Sequence, residues 1–272
     1  MSLVSTDWLE ENHKNVKILD ASWHMPNIKR NAYQEYQNCH IPNSIFFDLD
    51  KMSDLNSDLP HMLSSPGMWS KNISNLGISN DDRIIVYDNS DVLSACRCWY
   101  NFIYYGHDPK LVSVLDGGLK KWINENKPSS NKQIPRNKSN YKASENKQMV
   151  KSKKEIDLNI NEKEFFVLDA RSKDRFEGKV PDPRKNVRSG SIPNSYCLPF
   201  NELIQNDKTF KSLEEINNIF EQLIHKNEKN LVFSCGSGVT ACVLALAYSL
   251  VNTTYVPTIY DGSWAEYGKV AS

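Results

Sequence analysis

Four short blocks occur twice in this chain, in the same order, and that duplication limits what it can fold into more than any other feature. The first half reads KILDAS (Lys17–Ser22), HIPNSIFFDLD (His40–Asp50), RIIVYDNS (Arg83–Ser90) and LVSVLDGGLKKW (Leu111–Trp122). The second half reads FFVLDAR (Phe165–Arg171), SIPNSYCLPF (Ser191–Phe200), NLVFSCGS (Asn230–Ser237) and PTIYDGSWAEY (Pro257–Tyr267). Asp20 corresponds to Asp169, Pro42 to Pro193, Asp88 to Cys235 and Asp116 to Asp261, so the register drifts only by loop-sized steps.

Within each repeat, short apolar runs alternate with longer amphipathic ones. Val16–Leu19, Ile45–Phe47, Ile84–Tyr87 and Val112–Leu115 are brief and rich in β-branched or aromatic residues, which predicts buried strands. Ser70–Leu76, Ala95–Tyr104, Leu119–Glu125, Glu214–His225 and Thr240–Leu250 fit helices. Alternating strands and helices predict an α/β fold of two duplicated domains, each a parallel sheet with helices on both faces. Between the repeats, Asn124–Lys154 is crowded with Asn, Lys and Ser and reads as a solvated linker. The domains are therefore expected at 1–138 and 139–272.

The charge balance excludes several classes of partner. Thirty-three basic side chains meet 33 acidic ones, with no basic stripe to suggest nucleic acid. The opening segment carries Asp7, Glu10 and Glu11, which a transit peptide avoids, and no window reaches the roughly 18 apolar residues of a membrane span. A cytoplasmic location without membrane attachment is the expectation. The six cysteines, at 39, 96, 98, 197, 235 and 242, form no CxxC pair. In a chain read as cytoplasmic, most are expected reduced and buried, with packing the reading for Cys197 and Cys242 and a redox switch with Cys235 the alternative.

One cysteine stands apart. Leu231-Val-Phe-Ser runs as a buried strand straight into Cys235, followed by Gly236, Ser237, Gly238, Val239 and Thr240 and then an apolar helix. Such a glycine-bearing turn can aim several N–H groups at one point, and the helix N-terminus adds positive potential. A cysteine in that cradle is expected to ionise readily and act as a nucleophile. The plainer alternative, a structural cysteine at a strand end, leaves the two glycines unexplained. A cysteine phosphatase needs an arginine six residues after its nucleophile, where this chain has Ala241. The uncharged loop suits a sulfur atom better than a phosphate dianion.

The duplicated LDA(R), (H)IP and DG(G/S) blocks, together with CGSGVTA at 235–241, resemble the two-domain rhodanese superfamily from about Ser5 to Tyr267. The loop is similar to that of members using 3-mercaptopyruvate; thiosulfate-using members typically carry Arg-Lys in place of Gly236 and Ser237. The resemblance implies a catalytic C-terminal domain, with Cys235 carrying the sulfur and residues 236–240 cradling the persulfide, and a non-catalytic N-terminal one in which Asp88 stands where the cysteine would. It places substrate-binding arginines at Arg175 and Arg184, within DARSKDRFEG and PDPR, and a Ser–His–Asp relay at Ser237, His61 and Asp50. Thr240 is expected to bond the loop backbone or cap the helix rather than to do chemistry. Departures from the family pattern are Ser191, where a His is usual, and Asn194, where a Gly is usual and Asn tolerates left-handed backbone.

The activity so implied is transfer of sulfur from 3-mercaptopyruvate, through a Cys235 persulfide, to thioredoxin, a small dithiol or cyanide, with pyruvate released. No metal or organic cofactor is implied, and a monomer is expected. Rival readings are thiosulfate sulfurtransfer on the same scaffold and a persulfide relay protein with little turnover of small molecules.

Overall fold

A computed structural model describes residues 2–224 and 230–270. Among these, ten strands form two sheets. The first repeat supplies β1 (Leu3–Val4), β2 (Lys17–Asp20), β3 (Ser44–Phe46), β4 (Ile84–Tyr87) and β5 (Val112–Leu115). The second supplies β6 (Val150–Lys151), β7 (Phe166–Asp169), β8 (Tyr196–Cys197), β9 (Leu231–Ser234) and β10 (Ile259–Tyr260). The strand orders are β1-β5-β4-β2-β3 and β6-β10-β9-β7-β8, with parallel pairing throughout. Replacing each strand of the first sheet by its repeat partner reproduces the second, as a duplication requires.

The parallel α/β architecture is the expected one, and burial explains it. All four residues of β4, β5, β7 and β9 are buried, which needs cover on both faces of each sheet. The helix Ala241–Val251 is apolar all round, and its first seven residues are buried, so it belongs inside its unit. Pro66–Asn75 forms a helix that starts earlier than its apolar pattern suggests, because Ser65 caps Met68 and Pro66 supplies a preset first-turn φ. The helix expected over Glu214–His225 runs Leu213–Leu223; His225 lies outside the described residues.

Two features depart from the sequence reading. The polar stretch before the second repeat is not a solvated linker throughout. Tyr141 is 2% exposed, with its ring parallel to that of His107 at 5.9 Å. The amides of Ser139, Tyr141, Ala143 and Ser144 donate to Ser74 O, Ser74 Oγ, Ser70 Oγ and Tyr105 O. One aromatic ring and a row of satisfied amides are enough to strap this segment down, whatever its average polarity.

The chain also divides into two compact units that do not follow the repeats strictly. The first comprises Met1–Leu55, Leu63–Asn146 and Asn206–Phe210; the second comprises Asn56–Met62, Lys147–Gln205 and Lys211–Ser272. The two displaced segments occupy equivalent places in the repeats, so the exchange is reciprocal. Within the first unit, Phe210 N donates to Asp116 Oδ1 at 2.8 Å and Lys208 pairs with Asp91 at 3.3 Å.

Candidate active site

The candidate site lies in the second unit, where β9 ends at Ser234 and the helix Ala241–Val251 has not yet begun. Cys235 opens this connection with 2% of its surface exposed; Ser237 follows at 7%. Gly238 takes φ +76, a left-handed conformation that bends the chain sharply and favours glycine. Not every loop amide faces the sulfur, as a simple cradle would have it. Cys235 N and Gly238 N both donate to Ser263 Oγ at 3.2 Å. Among the described residues the amides of Gly236, Ser237, Val239, Thr240 and Ala241 have no acceptor. Thr240 occupies the N-cap position, but its side chain makes no cap bond: φ −75 and ψ −17 are already helical, so its hydroxyl does not reach over the first turn.

Arg175 and Arg184 come together against this loop. A Cβ added to Gly236 would sit 2.8 Å from Arg184 Nη2 and 3.5 Å from Arg175 Nη2. The two guanidiniums share one carboxylate. Arg175 Nη2 donates to Asp182 Oδ2 at 2.9 Å, while Arg184 Nη1 and the Arg184 amide donate to Oδ1 at 3.0 Å. Burial alone pushes the Asp182 carboxyl up, but the Arg184 amide and the two guanidiniums outweigh it and hold the group below its ordinary value. Arg175 Nε is buried with no partner among the described residues. Two cations against one anion leave a net positive site beside Cys235, with spare donors in fixed directions.

Trp264 joins the arginine-bearing segment to the cysteine loop. Its amide donates to Cys235 O at 3.0 Å and its Nε1 to Arg188 O at 2.8 Å. The guanidiniums of Arg171 and Arg188 each lie 4.6 Å from its ring centroid. Arg171 is itself paired with Asp169 at the end of β7 and donates to Gly190 O. The segment from 171 to 190 is thereby pinned at both ends.

His61 belongs to this unit too, as part of Asn56–Met62. Its backbone is left-handed, at φ +60, and its ring is buried, with Nδ1 3.0 Å from Ser237 Oγ. Asp50 lies in the first unit, on the short helix Leu49–Met52, where it accepts from Trp23 Nε1 at 3.1 Å. The other cysteines near the site make packing contacts. Cys242 Sγ donates to Gly238 O at 3.2 Å. Cys197 Sγ donates to Arg171 O at 3.5 Å, and burial pushes its thiol up to about 12. Asn194 adopts φ +59, as its left-handed tolerance suggested, and Asn43 in the first repeat takes φ +65.

Asp182 and Ser263 are the residues contacting the site that sequence reasoning missed. Asp182 sits between Pro181 and Pro183, two residues before Arg184, where a carboxylate facing that arginine was a readable signal. Ser263 stands where the first repeat has Gly118, a difference visible in the duplicated DG block.

A family model described as rhodanese-like domain matches residues 5–125 and again residues 152–269. The chain is 39% identical to thiosulfate/3-mercaptopyruvate sulfurtransferase 1, mitochondrial, of Arabidopsis thaliana, covering 97% of this chain and 75% of that protein. It is 38% identical to the 3-mercaptopyruvate sulfurtransferase of Mus musculus, covering 98% and 91%. The crystal structure of SseA from Escherichia coli superposes with a TM-score of 0.87 at 33% identity, over 97% of this chain and 99% of that one. Two matches to one domain, each falling on one sheet of the same strand order, show that the chain belongs to the rhodanese family of sulfurtransferases.

Proposed function

We propose that the chain takes sulfur from 3-mercaptopyruvate onto Cys235 and passes it to a thiol or cyanide. The observation that carries this reading is the pair of guanidiniums, Arg175 and Arg184, held by a single buried carboxylate against Gly236, with Arg175 Nε still unpaired. Two forked cations side by side suit the carboxylate and adjacent ketone of an α-keto acid. The names of the plant and mouse relatives point to the same donor.

In this mechanism the Cys235 thiolate attacks the substrate sulfur and the carbon–sulfur bond breaks. Its electron pair leaves as the enolate of pyruvate, which the two guanidiniums stabilise. A proton delivered through Ser237 and His61, or from water, completes pyruvate. The persulfide on Cys235 rests among the amides of Gly236, Ser237, Val239, Thr240 and Ala241. An acceptor thiolate, from thioredoxin or a small dithiol, then attacks the outer sulfur and restores the Cys235 thiolate. Sulfur is carried by the C-terminal domain, 139–272, while 1–138 carries none and contributes His61 to the relay, with Asp50 an auxiliary. A monomer working in the cytoplasm completes the proposal, although the Arabidopsis relative is named mitochondrial.

The test compares kcat/KM on 3-mercaptopyruvate and thiosulfate while intact-mass spectrometry follows Cys235. Preference for the keto acid, with one sulfur gained per chain and pyruvate released, is the expected result. Preference for thiosulfate, or sulfur gained only from a partner protein, overturns it.

A further inference from the structure

Ser263 combines three observations that no substrate contact explains. It is fully buried, and its backbone is left-handed at φ +47, a region that serine adopts only under constraint from its surroundings. Its hydroxyl is saturated: it donates to Tyr260 O at 2.8 Å and accepts from Cys235 N and Gly238 N at 3.2 Å. The two accepted amides are the first and fourth of the Cys-Gly-Ser-Gly turn, so one oxygen closes that turn across its whole width.

The first repeat supplies the contrast. There the equivalent residue is Gly118, at φ +56, and a Cβ on it would meet Asp88 O at 2.5 Å. The surrounding frame is otherwise alike. Leu119 N donates to Asp88 O at 2.9 Å, just as Trp264 N donates to Cys235 O at 3.0 Å. Glycine is thus the unstrained residue for this bend, and the second repeat holds a serine there in spite of its backbone cost.

We propose that Ser263 is a positioning residue for sulfur transfer: its hydroxyl draws the Cys235 and Gly238 amides together and so sets the turn that turns the remaining loop amides toward Cys235. It never touches the substrate, and it acts whichever donor is used. Removing the hydroxyl leaves two buried N–H groups without an acceptor, and the turn relaxes to find them new ones. The amides of Gly236, Ser237 and Val239 then lose their common focus. The inference rests on Cys235 as the residue that carries sulfur.

The experiment uses the full chain with Ser263→Ala and Ser263→Gly. Glycine fits the left-handed bend, as Gly118 does, and so separates loss of the hydroxyl from damage to the backbone. Iodoacetamide alkylation of Cys235 is followed against pH by peptide mass spectrometry, alongside the rate at which Cys235 gains sulfur from 3-mercaptopyruvate and thermal unfolding. In both variants alkylation of Cys235 at neutral pH and its gain of sulfur are each expected to slow about ten-fold. Ser263→Gly is expected to unfold within a few degrees of the parent. A folded Ser263→Gly with the parental alkylation profile and rate overturns the proposal. Unfolding of Ser263→Gly also overturns it, because the serine would then serve the fold rather than the loop. If the parent chain gains no sulfur on Cys235, the proposed function fails instead, and the alkylation profile still decides the role of Ser263.

Discussion

The two repeats build the same loop and fill it differently. After β4 the loop of the first repeat places Asp88, whose carboxylate accepts from Ser90 N at 3.0 Å and Ala95 N at 2.7 Å. The loop's anion site is plugged by a side chain of the loop itself. After β9 the second repeat places Cys235, a small group with no oxygen to offer, and Ser263 takes two amides from behind. Other amides stay available. The basic groups differ in the same sense. Arg30 beside the first loop spends its fork on Glu35, at 2.7 Å through both nitrogens, and on Asn89 O, whereas Arg175 and Arg184 divide a single carboxylate between them. A cavity of about 220 Å³ remains beside Asp88, lined by Arg30, Lys208 and Phe210 among others, so space alone does not make a site. What the first repeat lacks, among the described residues, is a pair of guanidiniums sharing one carboxylate against the loop.

The sharpest way to break this comparison is to exchange the two key residues for near-isosteres. Cys235→Ser is expected to abolish sulfur transfer with the fold intact, while Asp88→Asn leaves kcat/KM within about two-fold of the parent, since surface or non-site changes cost little. Equal losses in the two variants would end the distinction. Gly236→Ala comes next. Its methyl group meets Arg184 Nη2 at 2.8 Å and displaces the guanidinium, so kcat/KM on the keto acid is expected to fall about 10- to 100-fold without loss of stability. Asp182→Asn leaves the two guanidiniums facing one another without their shared anion. A rise in KM of about ten-fold, with a smaller change in kcat, is the expected reading of that variant. An unchanged KM would show that the arginines hold their places unaided.

The smallest effect is on stability. Burial pushes Asp88 up to about 6 from its ordinary 3.8, against the downward pull of the two amides. Between those values the folded protein keeps a proton that the unfolded chain gives up, so this group's contribution falls as pH rises from about 4 to about 6. Asp88→Asn removes that slope. Urea unfolding of parent and variant at pH 4 and pH 7 should show their difference moving in favour of the variant by about 1 to 3 kcal/mol. A difference that does not change with pH would mean that Asp88 is not a neutral acid at low pH.

Much of this was legible in the sequence because it repeats. The duplicated strands, the Cys235 loop and its Asp88 counterpart follow from aligned blocks and residue period. Arg175 and Arg184 were readable only as a motif, and the geometry adds the carboxylate that joins them. Other features were hidden for physical reasons. β1 and β6 are two residues long, too short for any period to appear. Tyr141 is a single ring in a polar run, and averaging conceals it. Ser263 looks like an ordinary turn residue until its φ and its three hydrogen bonds are known. The placement of His61 in the second unit depends on a tertiary exchange that no local pattern encodes.

That exchange bears on any attempt to cut the protein at its obvious seam. A C-terminal fragment beginning near residue 139 would keep Cys235 and both arginines yet lose the histidine that faces Ser237, and the N-terminal fragment would lose the backbone donor that Phe210 offers Asp116. The duplicated gene has become one indivisible product: each copy finishes the other's architecture, so mixing halves from different members should succeed only when the crossed segments travel with the copy they complete.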